Sequence, residues 1–233
     1  MSPKTETPST HANVPCRVLV LIGGSGSNLQ AIIDASNNHF FEVVQVISHN
    51  PDVYGLKRAQ AANIPHQVVS HKAFASRALF EQALQKKIDA CAPDLIILAG
   101  FMRILSEQFV QNYLGKILNI HPALLPHYKG LNTHQRVIDA NESWHGASVH
   151  FVTPELDGGP IVAQIKLPIK STDSAQSLKQ KIQAAEHWLY PKVISWFAVS
   201  RLNHNHNDIL FDGSPIPTTG LQFNDHDIEG TQQ

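Results

Sequence analysis

The stretch Arg17–Ile33, "RVLVLIGGSGSNLQAII", decides how the rest of the chain is read. Val18 to Ile22 form a short, β-branched, uninterrupted apolar run, which reads as a buried strand rather than as part of an amphipathic helix. Gly23, Gly24 and Gly26 then let the backbone turn tightly and approach a ligand before a helix opens at Asn28. Bare N–H groups at such a helix start form an anion site. The loop is not a Walker A motif, because no Gly-Lys-Ser/Thr follows, and Leu29 stands where GxGxxG needs its third glycine. Nor is it GxSxG, since Ser27 closes the pattern. A monophosphate suits it better than a dinucleotide; an ordinary strand-to-helix turn is the other reading, and both stay open at this point.

Outward from this unit, short apolar runs alternate with longer segments of helical period, the pattern of a parallel sheet covered by helices. Strands are expected at Arg17–Ile22, Phe41–Ser48, His66–Val69, Leu95–Leu98, Ile117–His121, Ala147–Phe151 and Ile161–Ile165. Helices are expected at Asn28–Ala35, Tyr54–Ala62, Ala75–Cys91, Glu107–Tyr113, Thr133–Asn141 and, entered through the capping stretch "STDSAQS", Ser174–Val199. The fold class that follows is α/β: a single doubly wound, mostly parallel sheet of Rossmann type with helices on both faces and a C-terminal hairpin. One domain over 16–212 is expected, between a disordered N-terminal tail at 1–15 and a C-terminal tail at 213–233 with a disordered end.

Composition limits the function. At 233 residues and 42% hydrophobic, the chain buries a sizeable core as one domain. Eighteen basic against nineteen acidic residues give a net charge of -1, so no overall field attracts nucleic acid or an anionic membrane. Cys16 and Cys91 are too few for a disulfide framework, and the start carries no signal-peptide or transit-peptide pattern; a cytoplasmic protein is expected.

Ligands of such sheets gather at the carboxyl ends of the strands. There, "ILNIHPALLPHYKG" (117–130) sets Asn119 and His121 two residues apart on one strand, so their side chains project the same way. Pro122 keeps His121 extended, and the chain then leaves as an irregular loop in which the Leu125–Pro126 bond is expected to be cis. "TPELDGGPI" places Asp157 in a tight turn from which a carboxylate reaches a neighbouring strand end. Singly, each residue has a structural reading: a hydrogen-bonded strand-end histidine, an aspartate serving its turn. Together they supply an oxyanion donor, a proton mover and a group that tunes it. No Ser or Cys stands in a recognised nucleophile setting, which favours direct transfer between two bound substrates over a covalent intermediate. His145, His150, His204 and His206 lack metal-binding spacings, so no metal is expected; Trp188 and Trp196, eight apart on the last helix, read as core packing.

The pieces "GSGSNLQAII", "APDLIILAGFMRIL", "NIHPALLPHYKG", "THQRVIDA", "HGASVHFVTPELDGGPIVAQ" and "EHWLYPKVISWF" together resemble the glycinamide ribonucleotide formyltransferases, folate-dependent enzymes of purine synthesis, over about Arg17 to Arg201. NIHPxLLP and LDGGPI are shared with the methionyl-tRNA formyltransferases and formyltetrahydrofolate hydrolase. The Gly-rich loop, the MRIL run and HGASVHFVT point to the ribonucleotide enzymes. The resemblance implies Asn119, His121 and Asp157 as the catalytic trio. It implies Gly26, Ser27, Asn28 and Gln183 to Glu186 on the ribonucleotide. Arg77, Met102, Arg103, Ile104 and Leu105 fall on the folate side, with Asn119 and Asp157 also near it. The co-substrate implied is 10-formyltetrahydrofolate, and the partners are small molecules, with no nucleic acid or membrane, for a monomer or homodimer. The family usually has His where Asn132 stands, and often Asn or Arg at Ser25. The rival reading is a formyltetrahydrofolate hydrolase, which usually carries an extra N-terminal domain; 16 residues precede the first strand here.

Overall fold

A computed structural model describes residues 14–36, 40–204 and 208–230. The tail expected over 1–15 lies outside the described residues apart from Val14 and Pro15, as do His206 and residues 231–233. The first half of the chain runs β1 (Cys16–Ile22), α1 (Ser27–Ser36), β2 (Phe41–Ser48), α2 (Tyr54–Ala61), β3 (His66–Val68), α3 (Arg77–Cys91), β4 (Leu95–Ala99) and α4 (Glu107–Asn112). The second runs β5 (Ile117–His121), α5 (Thr133–Asp139), β6 (Trp144–Phe151), β7 (Ile161–Pro168) and α6 (Ala175–Ala198), then β8 (Leu202–His204), β9 (Ile209–Phe211), β10 (Ser214–Pro215), β11 (Leu221–Asn224) and α7 (Asp225–Glu229).

The main sheet has the order β11-β7-β6-β5-β4-β1-β2-β3, and β6 alone runs against its neighbours. This is the mostly parallel, doubly wound sheet expected, and β8, β9 and β10 form the C-terminal hairpin sheet beside it. Both faces of β1 are buried, which is why its sequence does not alternate with polar residues. Val18, Val20 and Ile22 pack towards Leu29, Ile32, Ile182 and Leu189, whereas Leu19 and Leu21 pack towards Phe80, Leu84 and Phe109. From β1 the chain winds outward to β2 and β3, then returns to β4 on the other side, so the switch-point crevice opens between the carboxyl ends of β1 and β4.

Three of the helices begin where a serine caps them. Ser76, Ser106 and Ser174 each accept a backbone N–H from the first turn of α3, α4 and α6. Strands β6 and β7 are longer than their apolar runs, because they pair with each other from Trp144↔Pro168 inward and the partner supplies hydrogen bonds where periodicity gives no signal. Among the described residues no helix is long and apolar enough to cross a membrane.

The C-terminal segment departs from expectation. In place of a disordered end beyond 212, Leu221–Asn224 adds the edge strand β11, parallel to β7, and Asn224 caps α7. The cause is aromatic packing that composition hides. Phe223 packs on Trp188 and Trp196, with ring centroids 5.3 and 6.0 Å apart, and Phe211 packs on Trp196 at 4.9 Å. The two tryptophans are core residues, as expected, but part of their covering comes from the tail. Phe223→Ala should therefore lower stability by roughly 1–3 kcal/mol, less than the full penalty for a wholly buried phenylalanine, measured by urea unfolding. A change within 0.5 kcal/mol, the usual range for a surface substitution, would mean the segment is not part of the cooperative fold.

Candidate active site

Asn119 and His121 project from the end of β5, and the register of β5 against β6 sets them opposite His150 and Ser148. Asp157 comes from the turn between β6 and β7, where its own backbone is left-handed at φ 46°. That turn is tight enough that a Cβ on Gly159 would lie 1.9 Å from the Phe151 carbonyl oxygen, which explains the glycine. The three expected residues are thus brought together from one strand end and one turn.

Their contacts assign the protons. Nε2 of His121 lies 2.9 Å from the Tyr128 carbonyl oxygen, so it carries hydrogen and donates. Nδ1 of His121 then faces Asp157, 3.5 Å from Oδ2, with side-chain exposures of 7% and 10%. The same carboxylate oxygen accepts the Gly130 N–H at 3.0 Å. His121 is therefore anchored through one nitrogen, leaving the other to exchange a proton beside the carboxylate.

His150 is the residue that sequence reasoning missed, having weighed it only as a metal ligand. Burial pushes it down to about 4, so it is neutral at pH 7. Its Nδ1–H donates to the Phe151 carbonyl at 3.0 Å, and its bare Nε2 accepts from the Asn119 amide at 3.1 Å. The approach of Nε2 to Asp157 Oδ1 at 3.8 Å is accordingly not an ion pair. Its effect is to orient the Asn119 carboxamide, whose second N–H remains to donate elsewhere. The signal for it was the cross-strand pairing Asn119↔His150, legible only once the antiparallel register is known.

A cleft of about 100 Å³ adjoins these groups, lined by Arg103, Ile104, Leu105, Asn119, His150 and Asp157, with Leu98, Phe101 and Val152 supplying apolar wall. Met102 is 70% exposed beside it, and Arg77, at the start of α3, holds its Nε 3.8 Å from the Glu81 carboxylate. Glu81 in turn accepts from the Ser106 backbone N–H at 2.7 Å and from its hydroxyl, tying α3 to the end of the MRIL loop. The Leu125–Pro126 bond is cis, as expected.

The Gly-rich loop stands two strands away, roughly 10 Å at the usual strand spacing. Gly26 adopts φ 71° and lies so close to Gly55 that a Cβ would fall 2.6 Å from its Cα. Gln183 Nε2 donates to Ser27 Oγ at 2.7 Å, and Asn28 Nδ2 donates to Glu186 Oε2 at 2.9 Å, so α6 grips the start of α1. Burial pushes Glu186 up to about 7, against the lowering effect of the Asn28 amide. Asn28 Oδ1 is buried without a protein partner. At the two departures from the family pattern, Ser25 gives its carbonyl to Arg58 Nε at 3.0 Å, and Asn132 takes the left-handed N-cap position of α5 at φ 58°. Among the described residues no group of three or more His, Cys, Asp or Glu side chains is placed to hold a metal ion.

Residues 16–194 match the formyl transferase family. The phosphoribosylglycinamide formyltransferase of Escherichia coli is 47% identical over 205 residues, covering 87% of this chain and 97% of that protein. That of Haemophilus influenzae is 45% identical over 206 residues, covering 88% and 97%. Among solved structures, the phosphoribosylglycinamide formyltransferase of Coxiella burnetii superposes with a TM-score of 0.87 at 50% identity, covering 90% of this chain and all of that one. The chain belongs to the formyl transferase family.

Proposed function

We propose that this chain transfers the formyl group of 10-formyltetrahydrofolate to the amine of glycinamide ribonucleotide, giving formylglycinamide ribonucleotide and tetrahydrofolate. The observation that carries the reading is the convergence of Asn119 and Asp157 on one cleft, with His121 against Asp157 behind them, in a chain of this family. The amine attacks the formyl carbon, and negative charge develops on the formyl oxygen. The free N–H of Asn119 and the Nδ1–H of protonated His121 donate to that oxygen. Asp157 stabilises the imidazolium and helps pass the amine's proton to the departing folate nitrogen.

Arg103, Ile104 and Leu105 are read as the folate side, with the backbone of 153–157 at the pterin edge and Arg77 and Met102 on the outer rim. Gly26, Ser27 and Asn28 are read as holding the phosphate end of the ribonucleotide, and Gln183 and Glu186 its sugar. The placement of Asn28 and Glu186 against each other at the start of α1 supports this, since a carboxamide and a carboxyl group can both hydrogen-bond the hydroxyls of a ribose. The reaction is read as cytoplasmic, in keeping with two unpaired cysteines.

Purified protein should deformylate 10-formyltetrahydrofolate only when glycinamide ribonucleotide is present. Equal turnover without the acceptor would replace the transferase by a hydrolase. Asp157→Asn should stay folded by circular dichroism and keep both KM values within a few-fold, while kcat falls by roughly 10²–10⁴. A folded variant nearly as fast as the parent would remove Asp157 from the mechanism.

Glu186 supplies a test by pH. Its folded-state value of about 7 lies above the ordinary 4.5, so the folded chain binds the proton more tightly than the unfolded one. Stability contributed by this group is therefore full below about pH 4.5 and declines as pH rises towards 7, by roughly 3 kcal/mol. Glu186→Gln should abolish that decline relative to the parent in urea unfolding across this range, and raise the ribonucleotide KM more than the folate KM. Parallel pH profiles for variant and parent would show that the carboxyl group is not protonated in the fold.

A further inference from the structure

The sheet register places a row of polar side chains directly opposite one another across four strands: His121 on β5 faces Ser148 on β6, Ser148 faces Gln164 on β7, and Gln164 faces Gln222 on β11. Ser148 and Gln164 are almost wholly buried, at 0% and 5% exposure. Apolar side chains would cost less there, so a buried polar row needs a reason.

The hydrogen bonds give it one. Ser148 Oγ donates to the Ala123 carbonyl at 2.6 Å and accepts the Leu125 N–H at 3.0 Å. Gln164 Nε2 spends one hydrogen on the Leu125 carbonyl and the other on Ser148 Oγ, both at 2.8 Å. Gln164 Oε1 accepts from Gln222 Nε2 at 3.3 Å, and Gln222 is braced by the Thr219 carbonyl at 2.6 Å. Every donor and acceptor of the inner pair is used, and all its bonds to the main chain fall on Ala123 and Leu125, just beyond His121. The loop they fix is the one whose Tyr128 carbonyl anchors His121 and whose Gly130 N–H holds Asp157. Gly146 next to it is bare: a Cβ there would meet the Ile165 carbonyl oxygen of β7 at 2.0 Å and the Leu124 side chain of the loop at 2.6 Å.

We infer that Gln164 is a positioning residue for formyl transfer. With Ser148 as its partner and Gln222 of the C-terminal strand as its outer brace, it clamps residues 123–125 so that the loop presents the Tyr128 carbonyl and the Gly130 N–H in register with His121 and Asp157. The inference rests on the transferase reading for its effect on catalysis, but the clamp is observable without it. Misplacing a catalytic group by an ångström costs on the order of 10²-fold in rate, whereas neither substrate is read as touching Gln164.

The test is Gln164→Met in the full chain, a variant of similar volume that donates nothing, studied by steady-state kinetics and by amide hydrogen exchange. The expected result is a kcat roughly 10- to 100-fold lower, with both KM values within threefold. Exchange at 123–130 should be at least about tenfold faster while β1 and β4 keep their protection. A kcat within twofold of the parent, or unchanged exchange in the loop, overturns the clamp; so does a uniform rise in exchange across the sheet, which a merely structural role would give. Should Gln164→Met fail to fold, Gln222→Leu at the exposed end of the row replaces it. A faster-exchanging loop with a lower kcat then supports the clamp, and an unaltered loop overturns it. If the parent itself transfers no formyl group, the proposed function fails while the exchange experiment still decides the clamp.

Discussion

A carboxylate held almost out of water between two imidazoles is the constraint on which the site depends. Asp157 is tolerable there because Oδ2 accepts the Gly130 N–H and faces Nδ1 of His121, which meets its charge when that nitrogen carries a proton. Those partners come from a loop and a strand end, and Asp157 itself comes from a turn. Each must be brought to within hydrogen-bond distance by something else. Much of the second half of the molecule meets that need: β6 against β5 aligns the strand ends, Gly159 lets the turn close against Phe151, and Ser148 with Gln164 pins the loop.

Two histidines on adjacent strands show how the same side chain is given different work. His150 is enclosed on the sheet, so burial keeps it neutral and its lone pair steers the Asn119 amide. His121 stands at the strand end with one nitrogen fixed by a carbonyl and the other beside a carboxylate. One is fitted to orient a neighbour and the other to exchange a proton. A similar division separates two parts of the molecule: the cleft near Leu105 is walled largely by apolar groups, whereas Ser27 and Asn28 are paired with polar side chains reaching across from α6.

Helix α6 connects these parts. Gln183 and Glu186 of its middle turns reach Ser27 and Asn28, and Tyr190, about a turn further on, is buried with its hydroxyl between the Leu98 and Leu118 carbonyls of β4 and β5. Further along, Trp196 carries the aromatic packing that fastens the C-terminal segment. The helix that reaches Ser27 and Asn28 thus also underlies β4 and β5, and the edge strand whose Phe223 packs on its tryptophans contributes Gln222, which donates to Gln164.

By itself the sequence determined the fold class and most element positions, because doubly buried strands read as unbroken apolar runs and amphipathic helices as a 3.6-residue period. It also determined Asn119 and His121 as a pair, since i and i+2 of a strand must face the same way. Asp157 could be suspected from its turn, and the family likeness of the motifs supplied its role. What only the tertiary structure decided is every relation across strands: that Asn119 faces His150, that His121, Ser148, Gln164 and Gln222 stand in one row, and that a polar, proline-containing tail supplies the row's last member. The physical reason is that strand register is fixed by long-range pairing and by packing on the far face. Neither leaves a periodic trace in the local sequence, and a four-residue strand such as Leu221–Asn224 carries too short a pattern to announce itself before its partner is known.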